Sequence, residues 1–252
     1  MKHSIESYSR SIDFGIILEK NYSLQTAYDF LQNNPLCSNL VLASHHKWGE
    51  DIIFFEYGCA SFCVISAKGS PITACAVEKI RRYGGRAVVF IGTCGSTNED
   101  IKDGTYVFPY AAVRDEGTST GYIDIKCPAV ADIQFTMALY SKFSSLTKTK
   151  IGVAYTTDKR YKENPEELKL LHTRLNVLSI DMETSAFFVV SKYHGMPGAA
   201  IRIVTDCAVK ETSDTLKGVY NGSEPFSVFI TPKLLFAFEH AITGILDYFH
   251  HE

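Results

Sequence analysis

The segment Ala87-Val88-Val89-Phe90-Ile91 is apolar at every position. A strand with one wet face alternates apolar and polar residues, so an unbroken run belongs to a strand covered on both faces. That requirement constrains the fold more than any other feature, because covering both faces of a sheet takes helices on each side. The rest of the chain supplies them. Strands are expected at Ser11 to Leu18, Thr105 to Val113, Ile151 to Thr156 and Ala199 to Thr205, the last also buried. Asn39 to Ala43, Asp51 to Tyr57 and Ser61 to Ala67 follow closely enough to form a meander. Helices are expected over Tyr22 to Leu31, over Ile72 to Tyr83 with Gly84-Gly85 as its stop, and over Ala131 to Ser145. Further helices run from Pro165 to Leu175, from Glu183 to Tyr193, and onward from Pro232, with Leu235, Phe238, Ile242 and Leu246 on one face. The expectation is an α/β chain, residues 1–252 as one domain, with a mixed sheet between helices.

Composition narrows the function classes. The 252 residues are 46% hydrophobic and 21% charged, which fits a globular chain and excludes disorder and coiled coil. A net charge of −3 argues against a nucleic-acid partner held by a basic face. No run of 18 uninterrupted apolar residues predicts a membrane-crossing helix, and Met1 to Glu6 lacks the apolar run of a secretory signal. The seven cysteines are scattered, without CxxC or metal-ligand spacing, which predicts reduced thiols in a cytoplasmic setting and no metal site.

Ligands of such sheets gather at the carboxyl ends of strands, and three segments fall there. Ile91-Gly92-Thr93-Cys94-Gly95-Ser96 reads as a loop whose glycines and hydroxyls suit an anion or a sugar, or as a plain tight turn. It is neither a P-loop nor a full GxGxxG, which removes a dinucleotide-binding alternative. Asp181-Met182-Glu183 places a carboxylate at a helix start, suited to vicinal hydroxyls or to a helix-terminal charge. In Arg202-Ile203-Val204-Thr205-Asp206, alternation puts Arg202 and Asp206 on one face, as an ion pair or as a general acid with a neighbouring cation.

Taken together, Phe90 to Ser119, Cys127-Pro128-Ala129-Val130-Ala131-Asp132, Ile180 to Phe187 and Ile201 to Asp206 resemble the nucleoside phosphorylase family of the uridine phosphorylase, hexameric purine nucleoside phosphorylase and nucleosidase type. The resemblance implies a three-layer α/β/α sandwich around a mixed, partly barrelled sheet, and cleavage of the bond between ribose and a nucleobase. It implies that Glu183 binds the ribose hydroxyls with Met182 packed on the sugar, and that Asp206, with Arg202, acts on the base. Lys68, Gly69, Thr93 and Gly95 would touch phosphate and sugar, and Arg160 or Tyr161 would stack on the base. Inorganic phosphate is the implied co-substrate, with no other cofactor, and the implied assembly is a homodimer or homohexamer.

The chain departs from the family at the phosphate pocket. The Gly-Asp-Pro-x-Arg loop after the first strand is replaced by Leu18-Glu19-Lys20-Asn21, the arginine before Ile-Gly-Thr by Phe90, and the Ser-His-Arg context by Ser44-His45-His46-Lys47. The Gly-x-Gly-x-Pro-Ser loop becomes Ala67-Lys68-Gly69-Ser70-Pro71-Ile72. Each lost charge-assisted bond is worth about 1.5–3 kcal/mol, so phosphate is expected to bind weakly unless Lys68 or Lys47 compensates. Water is the alternative acceptor, with Glu19 in the region where nucleosidases carry a water-activating glutamate or simply exposed in a loop. A catalytically silent nucleoside-binding member is a further alternative.

Overall fold

Strand β6, Ala87–Ser96, is the axis of the computed structural model, which describes residues 3–4, 11–19, 21–45, 50–159, 164–209 and 226–250. Residues Ala87 to Ile91 are at most 1% exposed. Their flanks are β2 (Phe14–Glu19) and β11 (Gly198–Cys207), both parallel to β6. From β11 the sheet continues antiparallel to β7 (Tyr106–Asp115), parallel to β9 (Thr149–Thr157) and parallel again to β10 (Val177–Asp181). Strand β10 returns antiparallel to the far end of β6, which closes this half into a ring. The other half stays open, running from β2 through β5 (Ala60–Ala67), β4 (Glu50–Tyr57) and β3 (Cys37–His45) to β1 (His3–Ser4). A short β8, Ala129–Val130, pairs with β7.

Helices cover both faces. Val88 and Phe90 point to the layer of α2 (Ser70–Arg82) and α5 (Thr184–Tyr193), where they pack with Val77, Ile80 and Phe187. Val89 and Ile91 point to the layer of α1 (Asn21–Gln32), α3 (Ile133–Ser144) and α6 (Phe226–Phe249), and pack with Leu24, Phe135 and Phe238. Burying each such side chain contributes about 1.5–3 kcal/mol before entropy is counted. Helix α4, Pro165–Leu175, lies beside β10; Asn164 caps its start and Asn176, at φ 53°, ends it in the left-handed region. This is the expected α/β/α sandwich with a mixed, partly closed sheet.

Three local expectations are corrected. Gly92 to Ser96 is not a loop: it continues β6, because β11 supplies ladder partners as far as Ser96. Val177–Asp181 is a strand of its own, held between β9 and β6, although its apolar run is too short to announce one. Helix α6 begins at Phe226 and carries Pro232 inside it. Ile230, fully buried, ties the turn before the proline to the core, and the carbonyl that Pro232 cannot serve belongs to Val228, which is 61% exposed. By length and composition Val228–Phe249 would pass for a membrane span. Its residues Ile230, Leu234, Phe238, Ile242 and Ile245 are nevertheless 0–3% exposed and belong to the core.

Candidate active site

Where β2 ends, the sheet forks. The pairing of β2 with β6 stops at Leu18 opposite Ile91, and β10 joins β6 only at Gly95 and Ser96. Between these points β6 is bonded to β11 on one side and faces a gap on the other. Period-two alternation carries the face of Ile17 to Glu19, of Phe90 to Gly92 and of Ala200 to Arg202, so all three site positions look toward the α2/α5 layer.

Arg202 is fully buried. Its Nε donates to Thr184 Oγ1 at 2.9 Å and lies 3.7 Å from Asp181 Oδ2, and its Nη1 donates to Glu183 Oε2 at 3.4 Å. The guanidinium carbon sits 4.1 Å from the centre of the Phe90 ring, a cation–π contact in a desolvated setting. Burial works against its charge, but Asp181, Glu183 and Glu19 outweigh that and hold its pKa above the usual arginine value. Its Nη2 is buried without a hydrogen-bond partner among the described residues. Arg202 stands opposite Gly92 in the ladder, and a Cβ on Gly92 would collide with Arg202 Nη1 and lie 3.0 Å from Glu19 Oε2. Glycine is therefore the clearance in which both side chains lie.

Asp181 frees Glu183 for the site. Its Oδ1 accepts from the Glu183 and Thr184 N–H groups at 3.0 and 2.9 Å and from Thr156 Oγ1 at 2.9 Å, which caps α5. Glu183, at the same helix start and 2% exposed, makes no cap of its own. Its Oε1 accepts from the Gly69 N–H at 2.7 Å. Burial first, and then the neighbouring Glu19 charge, push its pKa up to about 7 against the pull of Arg202.

Glu19 is 7% exposed, not a loop residue in water. Its Oε2 accepts from the backbone N–H of Thr93 and from Thr93 Oγ1, the latter at 2.7 Å. The Thr93 amide lies in the stretch that β2 no longer reaches, so the Glu19 side chain serves a donor that the β2 backbone leaves open.

Asp206 is set apart by a bulge. Register shifts between Val204 and Asp206, which brings Asp206 opposite Gly95 and breaks the alternation expected to align it with Arg202. No ion pair joins the two among the described residues. Asp206 Oδ1 accepts from Thr205 Oγ1 at 2.8 Å. At Gly95 a Cβ would stand 3.1 Å from Ile180 and 3.6 Å from Asp206 Oδ2, so this glycine lets three strands converge. Gly69 (φ 78°) precedes α2, and its N–H is taken by Glu183. Met182 is half-buried, and its carbonyl accepts from Ser70 Oγ at 2.7 Å. Lys68 is exposed. Arg160, Tyr161 and Lys47 lie outside the described residues. The structure thus gathers Glu19, Gly69, Met182, Glu183, Gly92, Thr93 and Arg202 at one fork, with Gly95 and Asp206 beside it. It divides the two roles read for Asp181-Met182-Glu183 between its acids, Asp181 taking the helix start and Glu183 the site, and it adds Phe90 as the platform under Arg202, which the residue's sequence neighbours do not reveal.

A family model described as Phosphorylase superfamily matches residues 35–223. The uridine phosphorylase of Treponema pallidum is 30% identical over 147 residues, which are 54% of this chain and 57% of that protein. The guanosine phosphorylase of Halorubrum lacusprofundi is 30% identical over 134 residues, 53% of this chain and 55% of the relative. A DeoD-type purine nucleoside phosphorylase of Caldanaerobacter subterraneus is 28% identical over 134 residues, 52% of this chain and 57% of the relative. The chain thus spans about half the length of these curated relatives. In fold it is similar to a crystal structure of uridine phosphorylase from Vibrio fischeri, with a TM-score of 0.74 at 21% identity, covering 95% of this chain and 100% of that one.

Proposed function

The chain belongs to the phosphorylase superfamily, and on that premise we propose that it cleaves the N-glycosidic bond of a nucleoside and passes the ribosyl group to phosphate. The observation that carries this reading is Glu183: a buried carboxylate held by the Gly69 N–H at the ends of parallel strands, released from helix capping by Asp181. Departure of the base leaves positive charge on the sugar ring. Carboxylates fixed beside the ring stabilise that charge most where water is excluded. Glu183 accepts both ribose hydroxyls, and Met182 packs on the sugar. Asp206, beside Gly95, protonates or hydrogen-bonds the leaving base, which suits a purine with its ring nitrogen acceptor. Lys68, Thr93 and Gly95 contribute on the phosphate side, and Arg160 or Tyr161 on the base side. The relatives' names support phosphorolysis for both pyrimidine and purine nucleosides. A cytoplasmic homodimer or homohexamer, without metal, cofactor or nucleic-acid partner, completes the proposal.

A second reading, transfer to water, is favoured by one observation: the buried Glu19 carboxylate on Thr93, where a base for an attacking water would stand. Product analysis separates the readings. A panel of purine and pyrimidine nucleosides is incubated with and without phosphate, and the sugar product is identified. Ribose 1-phosphate supports phosphorolysis. Free ribose at a rate independent of phosphate overturns it in favour of hydrolysis, and no base release from any nucleoside overturns both.

A further inference from the structure

We propose that Glu19 selects the acceptor: its carboxylate is the chain's own anion in the seat made by the Thr93 N–H and hydroxyl, and phosphate enters that seat only by displacing it. The inference rests on the reading of the fork as a ribosyl-transfer site. Three observations carry it. First, the seat is an oxyanion cradle by construction, because a backbone N–H and a hydroxyl of one residue converge on a single carboxylate oxygen. A phosphate oxygen approaching β6 in the fork meets the same two donors, and it meets them occupied.

Second, Glu19 is held there by the fold. It is the last residue of a central strand, its face is set by alternation from Ile17, and Gly92 supplies the clearance its carboxylate lies in. A side chain on residue 92 would meet Arg202 Nη1 first and Glu19 Oε2 at 3.0 Å, so Gly92 leaves room for the acid beside the guanidinium.

Third, acids outnumber cations among the described residues of the fork. Among the described residues Glu19, Asp181 and Glu183, all 7% exposed or less, surround one buried cation, Arg202. That guanidinium is engaged by Thr184, Asp181 and Glu183 and rests on Phe90. A phosphate that enters beside the Glu19 carboxylate brings its own negative charge next to buried acids, in a site shielded from water, where like charges repel most strongly. A neutral hydroxyl donor meets no such opposition and finds an acceptor in Glu19. The residue thereby ranks acceptors by charge.

The test is calorimetric titration of inorganic phosphate into the full chain and into Glu19→Gln and Glu19→Ala, with the sugar product identified in parallel. Gln keeps the shape and removes the charge, whereas Ala removes both. Phosphate is expected to bind at least tenfold tighter to the Ala variant than to the parent, with the Gln variant in between. Asp247→Asn, which removes a surface acid whose side chain is 67% exposed, is expected to leave phosphate affinity unchanged. Affinity equal to or weaker than the parent's in both Glu19 variants overturns the proposal. If the Ala variant fails to fold, the near-isosteric Gln variant decides alone. Tighter phosphate binding without ribose 1-phosphate from any nucleoside upholds the selector role and removes the phosphorolytic reading. Ribose 1-phosphate from the parent, with phosphate affinity and KM unmoved in the Ala variant, does the reverse.

Discussion

Replacing Glu183 by Gln tests the electrostatics of the fork directly. The glutamine is nearly isosteric with the protonated acid and keeps an oxygen for the Gly69 N–H. In the folded chain the Glu183 carboxyl is pushed from its ordinary 4.5 to about 7, burial being the main cause and Glu19 the next. An acid whose pKa is raised by folding holds a proton that the unfolded chain has released. Stability is therefore lost as pH rises from the unfolded value, and the loss is complete above the folded one. At 1.36 kcal/mol per unit, the penalty at pH 8 is roughly 3 kcal/mol. A glutamine at this position carries no such penalty. The variant is expected to match the parent near pH 5 and to exceed it by roughly 3 kcal/mol at pH 8, while turnover is lost. Urea unfolding at both pH values, without ligand, measures the difference. A stability gap of the same size at pH 5 and pH 8 would refute the argument, because it would mean that Glu183 is not protonated in the folded state near pH 5 or that its burial carries no charge penalty.

Arg202→Met leaves Glu19, Asp181 and Glu183 without their cation. It is expected to destabilise by about 3–5 kcal/mol at pH 8 and by less at pH 5, again by urea unfolding. Gly92→Ala places a methyl group against Arg202 Nη1 and Glu19. It is expected to cost about 1–3 kcal/mol of stability and to abolish nucleoside cleavage, and a fully active Gly92→Ala variant would show that the clearance is not needed. Asp206→Asn is expected to slow purine nucleoside cleavage by about 10²-fold or more with little change in melting temperature. Equal rates for variant and parent would remove Asp206 from the chemistry.

Legibility from sequence followed the range of the interaction involved. Ala87 to Ile91 announced a doubly covered strand because burial on both faces is written residue by residue. Pro165 and the glycines after α2 likewise mark helix ends through backbone geometry alone. The ring closure of β10 on β6 was not legible from periodicity, since Val177–Asp181 is short and its partners are distant in the chain. At the site, residue types came through and their relations did not. Glu183 and Arg202 stood out as candidates, but the contact between them depends on how β11 and α5 meet. Asp206 separated from Arg202 because one bulge overrides a period-two argument. Phe90 read as a missing arginine until the register of β6 and β11 put its ring beneath Arg202. Glu19 followed a strand by one residue, and only the fork showed whether that residue meets solvent or Thr93.

The closed half of the sheet also sets where the molecule can breathe. Strands β6, β10, β9, β7 and β11 form a ring without a free edge, and the ring contains the strands that carry Gly92, Thr93 and Arg202. Peeling any one of them breaks ladders on two sides. Among the described residues the open edge of the main path lies at β1 and β3, five and four strand pairings away from β6, and fraying there breaks no bond to the ring. Transient opening, and the amide exchange and proteolysis that follow it, begin at that outer edge. The Thr93 amide is the exception within the ring, because its partner is the Glu19 side chain rather than a neighbouring strand, so it exchanges when that carboxylate swings away, while the β6–β11 ladder beside it stays closed.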